Sequence, residues 1–193
     1  MQKTKDSPSG NGYLPNDVYD IVKRSMTVPC VDVIVYDKEK KAVLLGLRAT
    51  PPVENVYWFP GGRLLFGETP EECAVRKVKE ETDLDVQILR YVNTGNTTFI
   101  FGEKRSTVNW TGLAVVTGGN VKITPNFKGY KYVTEISDGL HPYVKEFLKQ
   151  SEVFSSSEAL SADFRQAYRP TIVFDEAEEE RKGTIKARVR KEE

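Results

Sequence analysis

Residues 58–86 read WFPGGRLLFGETPEECAVRKVKEETDLDV: a strand end, a glycine pair, an acid, then an amphipathic helix closing on adjacent carboxylates. Gly61 and Gly62 permit a tight turn and let backbone approach a ligand. Thr69 and Glu72 have capping-box spacing, with Pro70 at the first helical position. Ala74 and Val78, one helical turn apart, mark the buried face. Arg76 and Glu80 are spaced as an ion pair along a helix, as are Lys77 and Glu81. Glu80 and Glu81 set two hard oxygen donors near one point, which suits a magnesium (or manganese) ion on a phosphate ligand. The ordinary alternative is an acidic amphipathic helix after a Gly-Gly turn.

The whole spaced pattern is more specific than its parts. It resembles the box of the Nudix hydrolase superfamily: a glycine, five residues, Glu, seven residues, then R-E-U-x-E-E-x-G-U, with U aliphatic. Gly62, Glu68, Arg76, Val78, Glu80, Glu81 and Leu84 match in register. Two positions depart: Lys77 stands for a glutamate and Asp83 for a glycine. A lysine at 77 cannot ligate magnesium, and it is expected to pair with Glu81 or to point to solvent. The resemblance implies an α/β fold, an α/β/α sandwich with a mixed β-sheet, over about residues 15–150.

Composition allows this. A chain of 193 residues with 39% hydrophobic content can bury one real core. Lys and Arg total 28, as do Asp and Glu, so no basic excess points to nucleic acid or an anionic membrane. Cys30 and Cys73 lie in apolar-periodic segments and read as buried free thiols of a reducing compartment. No stretch approaches the roughly 20 apolar residues that span a bilayer. The segment MQKTKDSPSGNGYLP has no apolar signal region, and a cytoplasmic location is expected by default.

Three parts are expected along the chain. Residues 1–15 are rich in Ser, Gly, Lys and Pro and read as disordered. Residues 16–150 form the folded domain. Asn16-Asp17 caps a short helix, Val18 to Arg24, with Val18, Ile21 and Val22 on one apolar side. Strands are expected at Val28–Tyr36, Ala42–Leu47, Leu84–Tyr91, Thr97–Phe101, Thr107–Thr117 and Tyr130–Val133. Asp37–Lys40 and Gly118-Gly119 read as turns, and Val56–Phe59 as extended chain. A last helix covers His141–Lys149, with Val144, Phe147 and Leu148 inward. Residues 151–193 read as a Ser-rich linker and a charged tail, with Arg169–Phe174 either an edge strand or a partner-binding segment. Residues 175–193, acidic then basic, read as a solvated helix or a disordered tail.

Outside the box, Pro29–Arg63 is similar to the GDP-mannose mannosyl hydrolase branch, which breaks a sugar C1–O bond rather than P–O–P. The similarity lies in Asp32 on the first core strand, G-x-R ending at Arg48, and the run Tyr57-Trp58-Phe59 into P-G-G-Arg63. It implies Asp32, Arg48, Trp58 and Arg63 as substrate contacts. Arg48, Arg63, Glu68 and Arg76 become candidates for the catalytic machinery. The Gly61 carbonyl, Glu80, Glu81 and the Asn126 amide become metal ligands. By themselves the residues allow ordinary roles. An ionised Asp32 among Val31, Val33 and Ile34 needs a cleft or an ion pair. Arg48 and Arg63 carry planar forks suited to a diphosphate. Trp58 can be core or platform, while Phe59 reads as core. Glu68 is expected to support the loop or the metal shell, and Arg76 to orient a glutamate by an ion pair.

That branch uses a Gln-His pair where this chain has Asn126 and Phe127. Phe127 cannot take a proton. His141, the chain's one histidine, reads as a helix cap or a surface residue, and Glu103, Glu135 and Asp138 are substitute bases. The expected function is a magnesium-dependent hydrolase of a nucleoside diphosphate sugar, cleaving C1–O, with a possible homodimer. Two alternatives stay open: a pyrophosphohydrolase of another nucleoside diphosphate derivative, and a catalytically impaired module that binds a nucleotide or partner.

Overall fold

A computed structural model describes residues 12–51, 53–99, 105–122, 124–155 and 160, with the backbone of 171–174 and 187–190. The elements are α1 (Asn16–Ser25), β1 (Val28–Asp37), β2 (Ala42–Arg48), β3 (Tyr57–Trp58), β4 (Gly61–Arg63), α2 (Pro70–Thr82), β5 (Leu84–Phe99), β6 (Arg105–Gly119), β7 (Phe127–Val133), α3 (Pro142–Ser151), β8 (Thr171–Phe174) and β9 (Ala187–Arg190). The strands join in one sheet ordered β3-β2-β1-β6-β5-β8-β9, with β4 also on β1 and β7 on β2. β1 runs parallel to β6 and β5 parallel to β8, while the other pairs are antiparallel. The sheet is mixed, as expected.

β1 explains the layering. Val31, Val33 and Val35 pack with Cys73, Ala74 and Val78 of α2. Ile34 and Tyr36, on the opposite face, pack with Tyr143, Val144, Phe147 and Leu148 of α3. A strand buried on both faces reads as one apolar run, which is why VPCVDVIVY was legible. Helices on both faces make the α/β/α sandwich.

One edge of β1 is shared, and this sharing opens the sheet. Its C-terminal half pairs with β2, through Val35 to Leu44 and Asp37 to Ala42. Its N-terminal half pairs with β4, through Cys30 to Arg63 and Asp32 to Gly61. Beyond Leu44 that edge of β2 pairs instead with β3, while β7 lines the other edge of β2 from Val43 to Arg48. Asp32, Arg48, Trp58 and Gly61 therefore come together where these strands diverge.

Several expectations change. Asn16 and Asp17 do not cap α1: the helix starts at Asn16, after Pro15, with no side-chain cap. Its apolar side is not buried, since Val18 and Ile21 are exposed. Gly61 and Gly62 form the short strand β4 rather than a tight turn. A Cβ on Gly61 would lie 2.2 Å from the Val31 carbonyl oxygen, so glycine is what lets β4 approach β1. The two expected strands 84–91 and 97–101 are one strand, β5, which stays on β6 through three register shifts. The shifts all precede Asn93, and the polar interval NTGNTT that follows pairs with β6 residue by residue, Asn93 with Thr111 through Thr98 with Ser106. Gly118 and Gly119 end β6 instead of turning. β7 starts at Phe127, whose side chain is buried. The expected linker begins folded, since Val153, Phe154 and Leu160 pack on the α3-side core. Residues 171–174 pair with β5, and β9 lies outside them, so 187–190 are strand rather than helix or tail. Residues 1–11, Phe101, Glu103, Arg169 and 175–186 lie outside the described residues.

The glycine that the box has where this chain carries Asp83 has a backbone reason. α2 starts with the expected capping box of Thr69 and Glu72 and ends at Asp83 in the left-handed conformation, φ 61°. Glycine meets no penalty there, whereas an L residue does. Asp83 pairs with Lys79 at 3.1 Å and with Lys122, contacts too exposed to offset much. Asp83→Gly is expected to raise unfolding stability by about 1 kcal/mol. Urea denaturation checks this; a loss of stability would show that the ion pairs outweigh the backbone strain.

Candidate active site

Where the strands diverge, a cavity of about 300 Å³ is lined by Asp32, Arg48, Trp58, Gly61, Glu81 and Asn126, together with Lys77. These residues come from five elements and the segment before β7. β1 supplies Asp32, β2 Arg48, β3 Trp58, β4 Gly61, and α2 Lys77 and Glu81.

Asp32 is buried at 6% exposure. The Trp58 indole N–H donates to its Oδ1 at 3.3 Å, and the Tyr143 hydroxyl donates to its Oδ2. Burial pushes its carboxyl up to about 6, against the pull of those donors and of Arg48. Tyr143 stacks on Trp58, ring centroids 4.6 Å apart and 12° from parallel. The Asn109 amide donates to the Tyr143 hydroxyl at 3.3 Å and to Thr97 Oγ1 at 2.9 Å. Buried polar atoms thus form a chain from the cavity floor into β5 and β6. Sequence reading missed Tyr143, Asn109 and Thr97. A signal existed for Tyr143: it lies one turn before Phe147, on the same helix face, and a buried tyrosine needs a partner.

Glu81, also buried, is held at every oxygen. The Gly61 N–H donates to Oε2 at 3.0 Å. The Asn126 amide donates to Oε1 at 3.1 Å, and Lys77 Nζ lies 3.0 Å from the same oxygen. Its backbone carbonyl accepts from Thr124 and Tyr130. Lys77 also reaches Glu80 Oε2 at 3.1 Å. Burial alone would lower the Lys77 ammonium; Glu81 and Glu80 outweigh it and hold it raised.

Glu68, Arg76 and Glu80 form a second cluster that does not line the cavity. Arg76 donates to Glu68 at 2.6 and 2.8 Å and to Glu80 at 3.1 Å, and Glu68 accepts the Leu65 N–H at 2.9 Å. Arg76 also donates to the Arg63 carbonyl at 3.2 Å. The geometry ties the box loop to the helix. Arg63 is likewise outside the cavity lining. Its guanidinium carbon sits 3.5 Å from the Tyr19 ring centroid and 5.0 Å from that of Tyr13.

The substitute bases fare unevenly. Glu135 and Asp138 are exposed and do not line the cavity, and Glu103 lies outside the described residues. His141 caps α3 as expected, its Nδ1 accepting the Tyr143 N–H at 3.1 Å. It is buried, not on the surface, and burial pushes it down to about 3. Among the described residues, the carboxylates facing the cavity are Asp32 and Glu81.

No three His, Cys, Asp or Glu side chains among the described residues converge as a metal site. Glu80 and Glu81 are adjacent as expected, but the Lys77 ammonium sits between them and Asn126 donates to Glu81. This donor set does not fit a divalent ion.

Asp32 ties the site to stability. Its unfolded-state value is 3.8 and its folded value about 6. The unfolded chain therefore releases its proton first, and the folded state loses stability as pH rises from about 4 to 6. His141 acts oppositely: raised protonation of the unfolded chain lowers stability as pH falls from about 6.5 towards 3. Comparison with wild type separates them. Asp32→Asn is expected to be more stable than wild type by about 3 kcal/mol at pH 7.5, with the gap closing near pH 4. Denaturant titrations at both pH values check it; a gap that does not change with pH counts against a raised Asp32.

Comparison with known proteins agrees with this geometry. The NUDIX domain family model matches residues 26–169. A mutator MutT protein from Bacillus halodurans superimposes with a TM-score of 0.61 at 18% identity, covering 86% of this chain and 99% of that one. An ADP-ribose pyrophosphatase from Streptococcus suis gives 0.50 at 18% identity, over 78% and 100% of the two chains. A UDP-X diphosphatase gives 0.52 at 14% identity, over 72% and 70%. At these identities the structures share the fold. The family match covers most of the chain and supports a hydrolase: this chain belongs to the NUDIX domain family.

Proposed function

We propose that this chain hydrolyses a nucleoside diphosphate sugar of the GDP-mannose type at the glycosyl C1–O bond. The observation that carries the reading is the single cavity joining Asp32, Arg48, Trp58, Gly61, Glu81 and Asn126. Nudix hydrolases generally use divalent metals. Attack at phosphorus depends on activating water beside a crowded negative charge, the task that metal-bound carboxylates perform. Here those carboxylates are engaged by Lys77. Glycosyl cleavage asks for something else: cations for the departing diphosphate and a carboxylate near developing positive charge on the sugar.

The residues supply both. Arg48 and Lys77 line the cavity and offset charge on the leaving diphosphate. The oxygen of a water attacks C1 as the C1–O bond breaks, and its electron pair leaves with the diphosphate. Asp32, raised to about 6 by burial, takes the water's proton. Trp58, stacked on Tyr143, walls the pocket against bulk water.

The second reading is P–O–P hydrolysis, favoured by the folds shared with the ADP-ribose pyrophosphatase and the UDP-X diphosphatase. Products decide between them. Incubation with GDP-mannose, with and without magnesium, followed by anion-exchange chromatography, is expected to yield GDP and mannose. GMP with mannose 1-phosphate overturns the C1–O reading. Arg48→Ala is expected to lower kcat/KM about 100-fold, the loss typical of one charge-stabilising contact. A panel of nucleoside diphosphate sugars that all remain intact leaves the binding-module alternative.

A further inference from the structure

We propose that the Lys77 ammonium takes the place of the divalent cation in this chain, so that the cavity binds a nucleoside diphosphate through the protein's own cations. The inference rests on the reading of the cavity as a diphosphate site. Lys77 stands where the family pattern has a carboxylate. Its Nζ lies 3.0 Å from Glu81 Oε1 and 3.1 Å from Glu80 Oε2. Those contacts use two of the three ammonium hydrogens, and Lys77 itself lines the cavity, so a third remains for a phosphate oxygen.

Three further observations fit a built-in cation. The Lys77 side chain is 12% exposed, so its pairing with Glu81 is shielded from bulk solvent. The glycine pair makes room for it: a Cβ on Gly62 would lie 2.7 Å from Lys77 Cε. Charge follows the same logic. With Lys77, the carboxylates of Glu68, Glu80 and Glu81 face two cations, Arg76 and Lys77. A glutamate at 77 would leave four carboxylates facing one arginine, an excess that calls for a divalent ion. Arg48 and Lys23, also on the cavity lining, add positive charge around the same space. Among the described lining residues, Lys23, Arg48, Lys77 and Arg105 outnumber Asp32 and Glu81, so an anionic ligand meets net positive charge there.

Manganese(II) titration followed by electron paramagnetic resonance tests the first half without any nucleotide. Lys77→Glu is expected to bind manganese at least about tenfold more tightly than wild type. Lys77→Gln, which removes the charge and keeps much of the stem, moves the same way and guards against misfolding of the glutamate variant. Wild type that binds manganese as tightly as both variants overturns the inference. Calorimetry with GDP tests the second half. Wild type is expected to bind GDP equally, within about threefold, in EDTA and in magnesium, and Lys77→Gln to lose about tenfold in EDTA. GDP binding that requires magnesium overturns the inference and leaves the diphosphate site standing. No GDP binding in either buffer overturns both.

Discussion

The buried carboxylate of Glu81 is the constraint on which the site depends. A charge withdrawn from water is tolerated only when its oxygens are paired. Glu81 meets that demand with the Gly61 N–H, the Lys77 ammonium and the Asn126 amide, and its carbonyl takes the Thr124 and Tyr130 hydroxyls. Those partners belong to β4, to α2, and to β7 with the segment entering it. Satisfying one charge thus closes three elements around the cavity. The same closure holds β4 against β1, because β4 carries the Gly61 N–H.

Asp32 is the counterpart on the other wall. Its donors, Trp58 and Tyr143, come from β3 and α3, so the helix on the far face of the sheet takes part in the site. The carboxyl gains from hydrogen bonds and loses more from burial, which is why it sits near pH 6. A fold that keeps such a group gives up some stability for a poised acid or base. Among the described residues, the cavity therefore holds two carboxylates in different surroundings: Glu81 clamped by a lysine, and Asp32 raised by burial. Pairs of this kind divide acid and base tasks in many active sites.

Much of this was legible from residue order. Thr69, Pro70 and Glu72 specify the start of α2 locally, and the structure shows that capping box. Ala74 and Val78 mark its buried face by spacing alone, and both are fully buried. The ion pairs of Arg76 with Glu80 and Lys77 with Glu81 follow from one helical turn. Elsewhere local signals misled. Residues 92–96 looked like a break, but pairing with the long strand β6 held them in β5. Val18 and Ile21 looked like a buried side, yet α1 leaves them exposed. Arg63 had the chemistry of a phosphate clamp, and the ring of Tyr19 took it instead.

By itself, the sequence determined the box helix, its N-terminal capping box, the two-faced strand β1 and the presence of Lys77 where a carboxylate would be expected. These are short-range matters of spacing, backbone preference and residue identity. Only the tertiary structure decided that Lys77 sits between Glu80 and Glu81 rather than in solvent. It also decided that Tyr143 serves Asp32, and that Arg48 but not Arg63 lines the cavity. Each depends on where β1 changes partners from β4 to β2, and on which buried charges then need an answer. Partner choice between distant strands and the pairing of buried charges are long-range compensations, and no local pattern encodes them.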